Sequence, residues 1–485
     1  MKLSVFLLST AFVAAPALSQ PMDMPGMHMP APTKKAPAKR QAPKKKPSAT
    51  KPAAKKPAAA KAPPAHVEAP IPPAMTVPMD HGSMPVPEVQ APMAMSEHAG
   101  HAMQISGALG PYAMERESSG TAWQPDASQH LGLMSTSGGW TLMAHGVVNL
   151  VADHQSGPRG DDKIFASGML MGMARRPLGN GTLQFRASLS PDPLMGPSGY
   201  PLLLASGETA NGVDRLTDRQ HPHDFVMELS ASASQKIGPR SSAFLYAGLP
   251  GEPAFGPPAF MHRESIMDSP EAPITHHWLD STHISFGVVT AGLVLDRVKV
   301  EVSRFNGREP DQHRWDIETG SLDSTAVRLS WSPMRTLALQ GSWGHFVDPE
   351  QLEPGVDQKR LSASAMWAGE VAPGWKGAAT LAWGRKTVEH HNDDAFAAEA
   401  SIKHDNWMVF GRGEITENRE LVDDHAAYRV GKLSLGAVRD FRIGEHLSLG
   451  AGGLVAVNFV PNALQPLYGG HSPTGAMGFV RLRLN

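Results

Sequence analysis

The sequence predicts an all-β protein: a transmembrane antiparallel β-barrel of about 16 strands, within a range of about 12–16, behind a disordered N-terminal arm. Three observations carry that expectation. From Trp140 to Asn485 the chain runs in short stretches with period-two alternation, such as "RVKVEVSRF" and the terminal "GFVRLRLN". In the latter Val480, Leu482 and Leu484 share one face while Arg481 and Arg483 share the other. The connections alternate between short turns and long polar loops, as a barrel with periplasmic turns and external loops requires and a soluble sandwich does not. Past the N-terminus there is no stretch of about 20 apolar residues, which excludes a helical membrane span.

Residues 1–19 of "MKLSVFLLSTAFVAAPALSQ" combine Lys2, an apolar run and small residues at Ala17 and Ser19, the pattern of a secretory signal peptide. Residues 20–32 form a first Met/His-rich segment and residues 33–74 a Lys/Pro/Ala-rich tether. Within 33–64 the tether carries ten Lys and one Arg with no acid, which hides an acidic remainder behind a net charge of −2. Such a run cannot bury a core; extended at about 3.1 Å per residue it spans roughly 100 Å. It reads either as a solvated spacer or as a binder of anionic cell-wall polymer (peptidoglycan) or lipid headgroups. Nucleic acid is not an expected partner behind an export signal.

Residues 75–104 form a second Met/His-rich segment and 105–139 a lead-in to the barrel. Its "YAMERESSGTAWQPDAS" (112–128), with Trp123 among charges, fits an ordered segment tucked into the lumen or a free periplasmic link. The barrel is assigned to 140–485. Short turns fall at Asn180-Gly181, 237–240, Asp296-Arg297, 332–335, 372–374, 404–406 and 442–446. Long polar connections fall at 152–164, 190–222, 248–282, 306–323, 346–359, 384–394, 415–428 and 459–474. Two features depart from the usual pattern. The last residue is Asn485 rather than an aromatic, and "SASASQKI", "GAATLAWG" and "LGAGGLVAV" are rich in small residues.

With no Cys anywhere, disulfides and thiolate sites are excluded, leaving Met and His as the soft and borderline ligands. "MDMPGMHMP" (22–30), "MDHGSM" (79–84) and "MAMSEHAGHAM" (93–103) concentrate both, and ten of the 25 methionines lie between 22 and 103. Met is normally spent in cores. In a chain with no core it supplies thioethers for Cu(I), then Cu(II) and Ag(I). The candidate ligands are Met22, Met24, Met27, His28, Met29, Met79, His81, Met84, Met93, Met95, His98, His101 and Met103. Compositional drift in a Pro/Ala-rich linker is the plain alternative. No organic cofactor is expected.

An exported Met/His-rich arm with "MDHGSM" ahead of an outer-membrane barrel resembles the copper-resistance outer-membrane proteins of the CopB type. The resemblance covers the arm and the architecture, and the Lys/Pro tether departs from it. It implies a bacterial outer-membrane barrel with its arm in the periplasm, supporting copper tolerance by sequestration or export, with a periplasmic copper protein as a candidate partner. The blocks "DRQHPHDF" (218–225), "GEPAFGPPAFMHRES" (251–265) and "HHWLDSTHISFG" (276–287) resemble a family of uncharacterised exported barrels with no settled activity.

In "DRQHPHDF" an extended backbone turns His221 and His223 to one side, with Asp218 and Asp224 close by. A metal site and a hydrogen-bonded cluster that folds the loop inward fit equally. In the strand that follows, Glu228 belongs in the lumen because lipid does not accept its charge, so Phe225, Met227 and Leu229 would face outward. By parity His221 and His223 would follow them unless Pro222 interrupts the register. The hypothesis is a second metal site at the outer rim, joined by Asp218 or Asp224 and a His from the 261–283 loop. That loop, "MHRESIMDSPEAPITHHWLDSTH", adds Met261, His262, Met267, His276, His277 and His283, and reads as an inward-folded constriction or a solvated outer loop. "HHNDD" (390–394) reads as surface loop. No nucleophile-elbow or zinc-hydrolase motif appears, so an enzyme is not expected. The expected function is copper tolerance through the arm. Its rival is a general or substrate-selective pore with no metal role.

Overall fold

The computed structural model of the chain describes residues 105–129 and 132–484; the signal peptide, the tether and all thirteen arm ligands named above lie outside the described residues. Sixteen antiparallel strands close into a barrel. They are Trp140–Gln155, Asp162–Leu178, Gly181–Leu189, Val226–Gly238, Ser241–Gly248, Val288–Leu295, Val298–Phe305 and Ser324–Met334, then Leu337–Phe346, Gln358–Ala372, Trp375–Val388, His391–His404, Trp407–Asn418, Tyr428–Arg442, Leu447–Phe459 and Thr474–Leu484. Each pairs with its neighbour in this order. The last returns to the first, from Gly475 opposite Gln155 to Leu484 opposite Gly146. Closure removes every sheet edge, the condition for a strand-built wall in hydrocarbon.

Side-chain parity follows the period of two. Val480 is 48% exposed and Leu482 45%, while Arg481 and Arg483 are buried inside at 2% and 6%. Leu229, Leu245, Leu329, Leu381 and Leu433 likewise stand on the outer surface. The tight turns at 179–180, 239–240, 296–297, 335–336, 373–374, 405–406 and 443–446 share one end of the barrel, the periplasmic one in barrels of this type. A further strand, Leu133–Ser137, makes a hairpin there with the start of the first stave, Ser137 opposite Trp140, so β structure begins before residue 140.

Among the connections at the other end, the expected loop at 384–394 is a correction. The flanking strands extend until Val388 pairs with His391, leaving a two-residue turn in which Glu389 adopts the left-handed φ of 49°. Cross-strand charge holds the extension together, with Arg385 Nε 2.8 Å from Asp394 Oδ1. Of "HHNDD", only His390 is turn.

A second correction concerns Met227. The register shifts between Ser188 and Leu189, which face Glu228 and Val226, so Met227 is an extra residue bulged out of the ladder. Leu229 stays on the lipid side and Glu228 inside, as parity requires, but Met227 is buried. Phe225 stays on the outer surface, and the chain leaves the strand before it, through residues 221–224. His221 and His223 are buried inside, at 7% and 8% exposure.

The small-residue strands have a packing reason. A short helix, His276–Leu279, lies against the inner wall, where Trp278 and Leu279 cluster with Ala382, Ala395 and Ala397. A Cβ at Gly384 would stand 2.5 Å from the Trp278 carbonyl. The inward serines of "SASAS" serve the lead-in: Ser234 Oγ donates to Ala108 O at 2.7 Å.

Candidate functional site in the barrel lumen

Two connections from the loop end turn inward. Residues 190–225 carry their own hairpin, Tyr200–Thr209 with Arg215–Gln220, and residues 249–287 are buried over most of their length. Backbone crossing a lumen must find partners for its carbonyls, and wall arginines provide them. Arg328 donates to Gly256 O at 3.1 Å and Arg412 to Ala272 O at 2.8 Å, while Arg481 donates to the side-chain carboxylate of Asp268, Oδ1 at 2.6 Å. In return Arg263 of the inward segment donates to Glu399 of the wall through Nε and Nη2, at 2.9 and 2.6 Å. These arginines are among the most deeply buried large side chains of the molecule.

The lead-in occupies the short-turn end. Leu109, Tyr112 and Trp123 pack on Phe244 and Val294 of the wall, and Arg328 donates to Thr121 Oγ1 at 2.9 Å.

The inward segments meet in a cluster of five histidines. Ring centroids lie 5.1 Å apart for His223 and His283, 5.2 Å for His276 and His283, and 5.7 Å for both His276–His277 and His221–His277. His221 and His223 are therefore brought to histidines of the 261–283 segment, but not to the acids flanking them in sequence. Asp218 accepts from Tyr468, Arg159 and the Leu204 amide, and Asp224 pairs with Arg314. The carboxylates that reach the rings come from farther away. Asp192 Oδ2 stands 2.7 Å from His223 Nδ1, Asp280 Oδ1 2.8 Å from His276 Nδ1, and Glu208 Oε1 3.1 Å from His221 Nε2. The Asp280 carbonyl accepts from His283 Nδ1 at 2.7 Å. Burial pushes the His221 and His283 imidazoles well below their usual range, and at His221 the Arg314 guanidinium adds to it. Burial opposes charge on His277 too, yet Glu309 outweighs it and lifts that imidazole to about 9.

A neutral imidazole whose Nδ1 donates to an oxygen presents an Nε2 lone pair. Among the described residues the Nε2 atoms of His223 and His283 are buried without a hydrogen-bond partner. Beside them runs a face of thioethers that the sequence reading passed over. In "GMLMGM", Met169, Met171 and Met173 alternate inward; Met169, Met171 and Met227 cluster with Ile284 and Phe286, and Met173 and Met261 pack against them. Cross-strand, Met173 faces Met143 and Met171 faces His145. Met169, Met171 and Met173 share the face of the buried Arg175, but in sequence the adjacent Arg176 offers the opposite parity, so only the structure shows which side turns inward. A cavity of about 50 Å³ opens beside His221, His223, Met169, Met261 and Met267. A second, of about 90 Å³, is lined by Met171, Met173, His145 and His262 nearer the short turns, and shares Met267 with the first. Toward the loops a vestibule of about 620 Å³ is lined by Arg159, Arg215, Arg419, Glu420 and His425. Among the described residues, three carboxylate or imidazole ligand atoms come within 4.8 Å of one another at Asp311, Asp316 and Glu318, an acidic loop with nothing that points to an ion. The histidine nitrogens do not close to that spacing as a trio.

No protein-family model matches the chain, and no curated protein matches it. Solved structures similar to it in fold are membrane barrels. A porin refined at 1.8 Å is 14% identical, with a TM-score of 0.39 over 71% of this chain and 100% of its own. An anion-selective porin from Comamonas acidovorans is 12% identical, with a TM-score of 0.41 over 71% of this chain and 100% of its own. The outer-membrane channel DcaP of Acinetobacter baumannii is 10% identical, with a TM-score of 0.41 over 73% of this chain and 100% of its own. The chain's own strand pairing makes it a closed antiparallel barrel whose lumen is crossed by its own loops.

Proposed function

We propose that this protein is a narrow, substrate-selective channel of the bacterial outer membrane. The observation that carries this reading is segment 249–287, folded into the lumen and tied to the wall by buried arginines. A wall that served only as an anchor has no use for a constriction so elaborately bonded. The cavities in sequence from vestibule to short-turn end add support. Full-length protein reconstituted in planar bilayers should give small, discrete conductance steps. A bilayer that stays silent under applied voltage, with barrel assembly verified by heat-modifiable migration, overturns the reading.

Copper handling through the periplasmic arm is the second reading. What favours it is that Met and His recur on the inner wall, where Met171, Met173, His145 and His262 line one cavity. An arm that collects a soft ion and a lumen lined with the same donors would serve one purpose.

A further inference from the structure

We propose that His223 and His283 bind a monovalent d10 ion, Cu(I) or its redox-inert analogue Ag(I), inside the barrel, through their Nε2 atoms and with thioether help from Met169 and Met261. This inference takes the lumen to be the channel's path and names a ligand class for it.

The geometry supplies four reasons. Each ring is oriented through Nδ1, His223 by Asp192 at 2.7 Å and His283 by the Asp280 carbonyl at 2.7 Å. That is how proteins fix the tautomer and raise the basicity of metal-ligating histidines. Among the described residues each Nε2 is buried and unpartnered, a costly condition for a polar atom. The 5.1 Å between ring centroids is what two imidazoles sharing an ion at about 2.0 Å through Nε2 need when the angle between them is near tetrahedral. Charge is available too. Among the described residues Asp192 meets no Arg or Lys, and the single guanidinium of Arg263 is shared by Asp280 and Glu399. Asp192 therefore carries a charge that no Arg or Lys offsets, beside the ring that would hold the cation.

The donor set decides the ion. Because the histidine nitrogens do not close as a trio, a third ligand has to come from elsewhere. Met169 and Met261 line the cavity of about 50 Å³ on which His223 opens, room enough for an ion or a water. Imidazole with thioether and no thiolate or ligating carboxylate suits Cu(I) and Ag(I) ahead of Zn(II) or Mg(II).

The test uses the full-length chain with the fifteen Met and His residues of 21–103 replaced by Leu and Gln, so that silver bound to the arm does not mask the barrel. Ag(I) is added in detergent, loosely held ion is washed out, and silver per chain is measured together with X-ray absorption. The expected result is silver with both nitrogen and sulfur neighbours, lost in the His223→Ala/His283→Ala variant while heat-modifiable migration persists. Should that variant fail to assemble, Asp192→Asn decides: it keeps both nitrogens and should weaken silver binding about 10–100-fold. Equal silver content in the double variant, an unchanged affinity in Asp192→Asn, or water alone at the nitrogens overturns the proposal. Metal content is read without a bilayer, so a failure of the channel reading, which shows as absent conductance, is seen separately.

Discussion

Replacing Arg263 by Met tests what holds the inward segment in place. In the folded barrel the guanidinium meets Glu399 at 2.6 and 2.9 Å, Asp280 within the segment, and the Pro258 carbonyl at 2.9 Å, and is itself 1% exposed. Met fills similar volume but leaves two carboxylates buried without their cation. Breaking a buried pair this way costs about 3–5 kcal/mol. The cost falls on the docked segment alone, because both acids hydrate once it swings out, whereas the ladder of the barrel wall does not involve Arg263. Docking should weaken by roughly two to four orders of magnitude. In planar bilayers the Arg263→Met protein should show larger or strongly flickering conductance, with heat-modifiable migration retained. Adding Glu399→Gln removes one stranded charge and should restore part of the closed behaviour, since residues of one network couple. If Arg263→Met assembles and conducts like the unaltered protein, the segment is not the constriction and the reasoning from buried arginines fails.

Two further outcomes are expected. Leu381, mid-strand and 64% exposed, faces hydrocarbon; Leu381→Lys should cost about 2–4 kcal/mol and lower refolding yield into lipid vesicles, while Ala382→Ser, one residue along and facing inward, should refold normally. For the arm, replacing the methionines of 21–103 by Leu should abolish Cu(I) binding by that segment and reduce copper tolerance of cells. Equal tolerance with and without residues 21–103 would assign the arm another task.

The barrel was legible in the sequence because its physics is local. Alternation with period two places Val480 and Arg481 on opposite faces whatever else the chain does, and lipid on one side forbids any other register. Turn chemistry set most of the connections, since each depends on a few adjacent residues. Where a turn was misjudged, at Glu389–His390, the strands were prolonged by cross-strand pairs such as Arg385 with Asp394, which single-strand patterning does not contain. Parity also failed at Met227. A bulge adds one residue on one strand only, and its position is set by the partner strand.

The lumenal site belonged to tertiary structure. The histidines of 221–223 and 276–283 were visible as donors, but their neighbours Asp218 and Asp224 were the wrong acids. Asp192, some thirty residues away, holds His223 because a hairpin folds between them, and Arg159 and Tyr468 draw Asp218 to the vestibule wall. Inward-facing side chains of sixteen strands converge on one axis, so residues far apart in sequence become neighbours by closure rather than by spacing. Sequence alone determined the lipid-facing side where alternation runs unbroken, as from Val480 to Arg483. Which buried groups meet one another was decided only when the sheet closed and two of its loops turned inside.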